Sequence, residues 1–377
     1  MTHEYYMKIA LKLAIKGLGR VAPNPMVGAV IVRENKIIGQ GYHEKYGGPH
    51  AEINALSACI SETEGATLYV NLEPCCHYGK TPPCTEAIIK SGIKCVVVGI
   101  RDPNPKVSGR GIEILREHGV EVIEAILSEK CMAINRFFLH HMKTKMPYVA
   151  MKYAMTVDGK IATKTGESKW ISGEDSRAYV QQLRKQFQGI MVGIGTVIED
   201  DPLLTYRLDL TQSPIRIICD SRLRMPLTSH IAQTAQAIKT FLVCESDYIE
   251  TNEGVLKREA LENQGFYVLV IPSKEGHIDL KVMMESLGAL GIQSLLIEGG
   301  STLNDAVLRE QLVQYLYAFV APKILGGKGA LTPVGGIGVD AMDEAKRLEL
   351  VKIKPFEDDV LLEYRFEKGD KRCLLES

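Results

Sequence analysis

Lys94-Cys95-Val96-Val97-Val98-Gly99-Ile100 is a short apolar run dominated by valine. A strand that is apolar on both faces belongs inside a parallel sheet, with helices covering each side. The flanking sequence supplies those helices. Residues 85–91 read as a helix before the run, and a helix–strand pair at 109–118 and 120–125 follows it. Upstream lie a strand at 67–71, a helix from His50 to about residue 60, and a hairpin of 27–32 and 36–41 turning at Glu34-Asn35. The turn-rich Ala22-Pro23-Asn24-Pro25 precedes the hairpin. A first helix spans about 3–16, where Tyr6, Ile9, Ala10, Leu13 and Ala14 recur at helical spacing with Lys8, Lys12 and Lys16 interleaved. Alternating strands and helices predict an α/β sheet.

At 377 residues the chain is long enough for two domains. Residues 127–140 read as helical, and the polar stretch His141-Met142-Lys143-Thr144-Lys145-Met146-Pro147 ends that pattern. The expected domains are therefore 1–145 and 146–377. The second restarts with a strand at 148–153 and continues with strands at 189–193, 215–219, 240–244, 267–271, 294–297 and 315–320, again α/β. The tail 368–377 is charged and is expected to fray.

A hydrophobic share of 45% and a charged share of 24% exclude a disordered chain. No apolar run approaches the roughly 18 residues of a membrane span. The N-terminus reads as an amphipathic helix, not a signal peptide. Net charge is -1, with 18 basic against 14 acidic residues in 1–145 and 27 against 32 beyond. That balance argues against a nucleic-acid binder, which needs a clustered basic face. Nine cysteines, an odd number, point to free or metal-bound thiols in a reducing cytoplasm.

The strongest chemical signal is His50-Ala51-Glu52 followed by Pro74-Cys75 and Cys84. An H-x-E element followed by prolyl-cysteine ligands is the pattern of zinc deaminases. Two thiolates and one imidazole make three ligands, which leaves a four-coordinate zinc one position for water of pKa near 7. Glu52 is too close to His50 to serve easily as a fourth ligand and is well placed to move protons. The second cysteine comes nine positions after the first instead of three, so Cys76 and His77 compete as ligands. Cys75 and Cys84 are favoured because each follows a proline and Cys84 opens a helix, where a thiolate is stabilised.

In the second domain the best phosphate site is the apolar strand 294–297 running into Glu298-Gly299-Gly300 and a helix expected to be capped by Ser301 or Thr302. Gly17-Leu18-Gly19-Arg20-Val21-Ala22 fits a dinucleotide fingerprint literally, but it follows a helix instead of a strand. Gly193-Ile194-Gly195-Thr196 follows a strand but lacks the third glycine.

The chain resembles the bifunctional riboflavin-biosynthesis deaminase/reductase family over nearly its whole length. The matching stretches are Pro23–Val30 as Pro-Asn-Pro-Met-Val-Gly-Ala-Val, Gly41-Tyr42-His43, Gly48-Pro49-His50-Ala51-Glu52, Leu72-Glu73-Pro74-Cys75-Cys76-His77 and Gly79-Lys80-Thr81-Pro82-Pro83-Cys84. Those of the second domain are residues 152–162, Gly193-Ile194-Gly195-Thr196, Asp200-Asp201-Pro202-Leu203-Leu204-Thr205 and Glu298-Gly299-Gly300.

The resemblance implies a cytidine-deaminase-like three-layer α/β/α domain and a dihydrofolate-reductase-like α/β domain. It implies one zinc per chain on His50, Cys75 and Cys84, Glu52 as proton shuttle, and Asn24, His43 and Lys80 at the deaminase substrate. For the second domain it implies NADPH lined by Ala154, Trp170, Thr196, Asp200, Ser221, Gly300, Ser301, Thr302, Leu303, Asn304, Asp305 and Ala306. Lys152, Ser168, Arg184, Leu204, Arg207 and Glu298 would face that domain's substrate. Because an arginine fork pairs phosphate oxygens bidentately, Arg184 and Arg207 are expected on the substrate's 5′-phosphate, the equal alternative for Arg184 being a pair with a surface carboxylate. The implied partner is a small pyrimidine ribotide, with no nucleic acid or membrane, in a homo-oligomer. The alternative, a nucleic-acid base deaminase, calls for a basic stripe and stacking aromatics, and it leaves the second domain unexplained.

Overall fold

The computed structural model describes residues 1–78, 82–104 and 108–366. Two compact units divide the chain, Met1–Lys145 and Met146–Ser377.

In the first unit, strands β1 (Gly28–Arg33), β2 (Lys36–Tyr42), β3 (Thr67–Leu72), β4 (Cys95–Ile100) and β5 (Glu121–Ile123) form one sheet in the order β2-β1-β3-β4-β5. The β1 strand is antiparallel to β2 and β3, while β3, β4 and β5 run parallel. The helices are α1 (His3–Ile15), α2 (Ala51–Ser57), α3 (Cys84–Lys90), α4 (Arg110–Glu117), α5 (Ser128–Ile134) and α6 (Arg136–Thr144). The valine run explains the layering. Val96 and Val98 join Ala29, Ile31, Ala55, Ile88 and Leu115 on one face. Val97 joins Val30, Val32, Tyr6, Met7 and Cys131 on the other. Both faces are thus dry, as a three-layer α/β/α unit requires. Gly41 lets the hairpin touch α2, since a Cβ there would fall inside the backbone of Ala51 and Ala55. This contact seats the helix start that carries His50 and Glu52.

The single helix expected over 127–140 is two, broken at Asn135. Its buried amide is committed elsewhere: Oδ1 accepts from Met26 N–H at 2.8 Å and Nδ2 donates to Met26 O at 3.0 Å. Asn71 on β3 grips the same segment, accepting from Gly28 N–H and donating to Met26 O.

The second unit contains β6 (Tyr148–Thr156), β7 (Gly189–Gly193), β8 (Ile215–Cys219), β9 (Thr240–Glu245), β10 (Tyr267–Ile271), β11 (Ser273–Lys274), β12 (His277–Ile278), β13 (Ser294–Ile297), β14 (Tyr315–Ala321), β15 (Leu348–Pro355) and β16 (Val360–Phe366). Nine of these form a sheet in the order β10-β9-β8-β7-β13-β6-β14-β16-β15, and β11 pairs with β12. From β10 to β14 the large sheet is parallel, and β16 and β15 close it antiparallel. The helices are α7 (Glu174–Gln186), α8 (Ile194–Asp200), α9 (His230–Gln233), α10 (Ser246–Ile249), α11 (Asn252–Asn263), α12 (Leu280–Ala289) and α13 (Ser301–Arg309). Alternate residues again feed two cores: Met191 and Ile217 one, Ile190, Val192 and Ile218 the other. The seven strands expected from apolar runs are present, whereas the β15–β16 hairpin was not foreseen. In the edge strand β15, Glu349–Lys352 and Ile353 are exposed, so burial left no readable pattern. Among the described residues no helix is long and apolar enough to cross a membrane.

Candidate active sites

The first site gathers at the ends of β3, α2 and α3. His50 is the N-cap of α2, Cys75 lies in the loop after β3, and Cys84 is the first residue of α3. His50 Nδ1 is 3.4 Å from Cys75 Sγ and 3.3 Å from Cys84 Sγ, and the three ligand atoms lie within 4.8 Å of one another. Ligand lengths of ~2.0 Å to nitrogen and ~2.3 Å to sulfur place tetrahedral zinc ligands about 3.5–3.8 Å apart. The donor set therefore fits zinc. Among the described residues no other His, Cys, Asp or Glu joins this cluster, so Cys76 and His77 stand outside it. Electrostatics divide the two thiols. Hydrogen bonding to Cys84 holds Cys75 far down, at about 4. Cys84, bonded to Cys75 and buried, is pushed up. Cys84 N–H also points at Cys75 Sγ, 3.3 Å away.

Glu52 sits in the first turn of α2, 3% exposed. Burial, reinforced by the Cys75 charge, raises its pKa to about 7. Such a carboxyl can both take and return a proton near neutrality. His43 stands edge-on to His50 with ring centroids 5.6 Å apart. Its Nδ1 bonds Pro49 O at 2.9 Å, which leaves Nε2 to accept from Asn24 Nδ2 at 3.1 Å. Burial lowers the pKa of His43, favouring the neutral ring. Lys80 lies outside the described residues.

Sequence reading quoted Glu73 without giving it a task. Its buried carboxylate accepts four backbone N–H groups, from Asp102, Gly109, Gly111 and Ile112, at 3.0–3.3 Å. It thereby ties the strand end before Cys75 to the start of α4. Asp102 was also missed. Burial lifts its pKa to about 6, and it feels the charges of Glu73, His77 and Cys75. Neither role has a local sequence signal, because each partner is about thirty residues away.

The second site is a cleft of about 1800 Å³ over the carboxyl ends of β6, β7, β8, β9 and β13. Open α/β sheets bind ligands at these ends. Ala154, Trp170, Thr196, Asp200, Ser221, Gly300, Ser301, Thr302, Leu303, Asn304 and Ala306 line it, as do Lys152, Ser168, Arg184, Leu204, Arg207 and Glu298. Asp305 does not: its carboxylate pairs with Arg309 at 2.6 Å, one helical turn on. The helix cap also differs from expectation. Gly300 is the N-cap of α13 and no side chain caps it. Ser301, Thr302 and Leu303 therefore present first-turn amides to the cleft, a cradle suited to a dinucleotide phosphate. Asn304 braces that turn through Nδ2–H to Pro333 O at 2.8 Å.

Arg184 departs most from expectation. Nε and Nη2 donate to the two oxygens of Glu298 at 2.7 and 2.8 Å, and Nη1 donates to Thr205 O at 3.1 Å. Both partners are buried. The Arg184 fork expected to hold a substrate phosphate is spent on Glu298. Burial alone would raise the pKa of Glu298, but the Arg184 charge reverses it, helped by hydrogen bonds and Lys152, and holds it at about 2. Lys152 is half-buried on the cleft wall, and desolvation lowers its pKa. Ser168 Oγ donates to Asp200 Oδ1 at 2.8 Å.

Comparison with known proteins follows the same division. Residues 1–100 match the cytidine and deoxycytidylate deaminase zinc-binding region, and 147–362 match the RibD C-terminal domain. The riboflavin biosynthesis protein RibD of Actinobacillus pleuropneumoniae is 48% identical over 364 residues, spanning 97% of this chain and 95% of that protein. Its Escherichia coli (strain K12) counterpart is 38% identical, spanning 96% and 99%. Among solved structures, Acinetobacter baumannii RibD (form 1) superposes with TM-score 0.87 at 37% identity, over 97% of this chain and 99% of that one. A Thermotoga maritima diaminohydroxyphosphoribosylaminopyrimidine deaminase/5-amino-6-(5-phosphoribosylamino)uracil reductase does so with TM-score 0.84 at 37% identity, over 97% and 98%.

Proposed function

The chain belongs to the RibD family, bifunctional deaminase/reductases of riboflavin biosynthesis, and from that premise we propose which residues carry each reaction. The first unit is the zinc-binding deaminase and the second the NADPH-using reductase. The substrate we assign is 2,5-diamino-6-(5-phosphoribosylamino)pyrimidin-4-one, losing its 2-amino group and then having its ribosyl chain reduced to ribityl.

We assign one zinc to His50, Cys75 and Cys84. When bound, it supplies a water of pKa near 7. Glu52 takes one proton from the attacking water and hands it to the ring nitrogen, then takes the second from the added hydroxyl and hands it to the amino group, which leaves as ammonia while the hydroxyl becomes the carbonyl. Asn24 keeps the neutral His43 ring oriented beside the pyrimidine, and Lys80 is assigned to the substrate phosphate. In the second unit NADPH, when bound, supplies the hydride for the sugar C1. The α13 amides hold its phosphates, with Ala154, Trp170, Thr196, Asp200 and Ser221 along its length. Lys152, Ser168, Leu204 and Arg207 face the opened sugar, and Arg207 takes the 5′-phosphate. Arg184 and Glu298 hold one another and position Lys152.

The observation that carries the reading is the three-ligand cluster with a buried proton carrier two residues from His50. Incubation with the diaminopyrimidine ribotide and NADPH, with products identified by mass, should give the deaminated ribotide and then its two-hydrogen-heavier ribityl form. Ammonia release from tRNA instead would overturn it.

We also propose a homo-oligomer in the reducing cytoplasm. Leu350, Val351 and Ile353 are exposed on the edge strand β15, and Ile337, Val339 and Met342 are exposed in the segment before it, apolar surface that a second copy would cover. A single-chain mass in solution light scattering would refute it.

A further inference from the structure

We propose that Arg222 and Arg224, just beyond β8, select the phosphorylated dinucleotide over its unphosphorylated counterpart by binding the 2′-phosphate of its adenosine ribose. The proposal rests on the reading that this cleft takes NADPH.

The turn holding the two arginines is built rigidly from its buried side. Asp220 is fully buried. Its N–H donates to Val243 O at 2.9 Å, its carbonyl accepts from Leu223 N–H at 3.1 Å, and its Oδ2 accepts from Met225 N–H at 2.9 Å. Leu223 and Met225 sink into the core beneath β7, β8 and β9. Alternation leaves Arg222 and Arg224 exposed, and both line the cleft.

Neither guanidinium has a hydrogen-bond or ion-pair partner among the described residues. Several other basic side chains of this unit are paired, Lys257 with Glu253 at 2.8 Å, Arg258 with Glu262 at 2.9 Å and Arg309 with Asp305 at 2.6 Å, whereas Arg222 and Arg224, like Arg207 in the same cleft, have no ion pair among the described residues. Asp220 feels the Arg224 charge, but its carboxylate is turned inward. Glu245, at the end of β9, also lines the cleft, one carboxylate against two guanidinium groups. Both lie in a unit with 27 basic and 32 acidic residues, yet neither has been given a carboxylate of its own.

The sheet acts as a ruler for what they would meet. The groups assigned to the reacting end, Lys152 and Ala154, sit on β6, and the α13 phosphate cradle follows β13 beside it. In the order β8-β7-β13-β6, the β8 end lies three strand spacings from β6, about 14 Å. An extended dinucleotide with its nicotinamide over β6 and its pyrophosphate at α13 brings its adenosine ribose to β8. A ribose monophosphate carries close to two negative charges, and arginine forks pair such oxygens bidentately.

The test is calorimetric titration of the full-length protein with NADP+ and NAD+, at low and high salt. The wild type should prefer NADP+, with a preference that falls as salt rises. R222A and R224A should each weaken NADP+ binding about ten- to a hundredfold and leave NAD+ affinity within twofold. R222Q and R224Q, which keep length and polarity, should do the same while melting like the wild type. R222K and R224K should retain part of the preference. Full NADP+ preference in the alanine and glutamine variants would overturn the proposal while leaving the cofactor reading intact. Equal losses for both dinucleotides would also overturn it, placing the arginines elsewhere on the ligand. A wild type that binds neither dinucleotide, or both equally, would overturn the proposal; binding neither would bring down the cofactor reading as well.

Discussion

Replacing Glu298 by glutamine should destabilise the second unit by about 3–5 kcal/mol, the cost of leaving a buried cation without its counter-charge. The structure supplies two routes to that figure. Glu298 and Arg184 are both buried and joined by two charge-assisted hydrogen bonds of 2.7 and 2.8 Å. Glutamine keeps the shape and removes the charge, so Arg184 faces a neutral amide while the half-buried Lys152 stays beside it. Independently, the pair holds the Glu298 carboxyl at about 2, against an ordinary 4.5, worth roughly 3 kcal/mol. The sign follows from the direction. A carboxyl with a depressed folded-state pKa stabilises fully above its unfolded value and loses that contribution as pH falls toward 2. The gap between wild type and Glu298→Gln should therefore narrow by roughly 2 kcal/mol between pH 7 and pH 3.

The assay is urea unfolding followed by tryptophan emission, because Trp170 is the only tryptophan and belongs to this unit. It is exposed, with the Arg177 guanidinium 4.6 Å from its ring centroid, and unfolding disrupts that contact. For a unit of this size, ~2–4 °C per kcal/mol predicts a melting temperature about 10 °C lower. A double variant, Arg184→Met with Glu298→Met, should lose less than Glu298→Gln alone, because no orphan guanidinium remains. A loss below about 1 kcal/mol at pH 7, or a gap that does not change with pH, would refute the reasoning.

His50→Ala, Cys75→Ala and Cys84→Ala should each abolish zinc binding while Cys76→Ala keeps it, by elemental analysis of purified protein; retention by Cys75→Ala with loss by Cys76→Ala would move the ligand by one position. Glu52→Gln should keep zinc and fold yet lose about 10²–10⁴ in deamination rate, and a variant within tenfold of wild type would remove it as the proton carrier. Arg207→Ala should cost about tenfold or more in reductase kcat/KM, a loss that shrinks for a dephosphorylated substrate, whereas Arg184→Ala should lose equally with either substrate. Glu73→Gln has one acceptor oxygen where the carboxylate satisfies four amides, so hydrogen exchange at Gly109 and Gly111 should accelerate at least about tenfold; unchanged protection would refute its bracing role.

What could be read from sequence, and what could not, separates along one physical line. A residue whose role is set by its own chemistry declares itself. Val96, Val97 and Val98 can only be a strand buried on both faces, and they are divided between two cores. Imidazole and thiolate at His50, Cys75 and Cys84 offer few uses besides metal ligation. The unusual nine-residue interval between the cysteines costs little, because closing a longer loop adds only about 0.6 kcal/mol per doubling. Roles set by a distant partner are silent. Arg184 looked like a free phosphate fork until Glu298, 114 positions on, engaged it. Glu73 looked like motif filler, and its four amides lie in 102–112. Asn135 broke a helix for the sake of Met26, 109 positions earlier. The β15 edge was unreadable for the complementary reason: burial imprints a pattern, and five residues in a row there are exposed. The same logic accounts for Arg222 and Arg224. They resembled ordinary surface charge in sequence, and only the lack of an ion-pair partner among the described residues, together with the strand order that sets them three strands from Lys152, makes them a pair waiting for an anion.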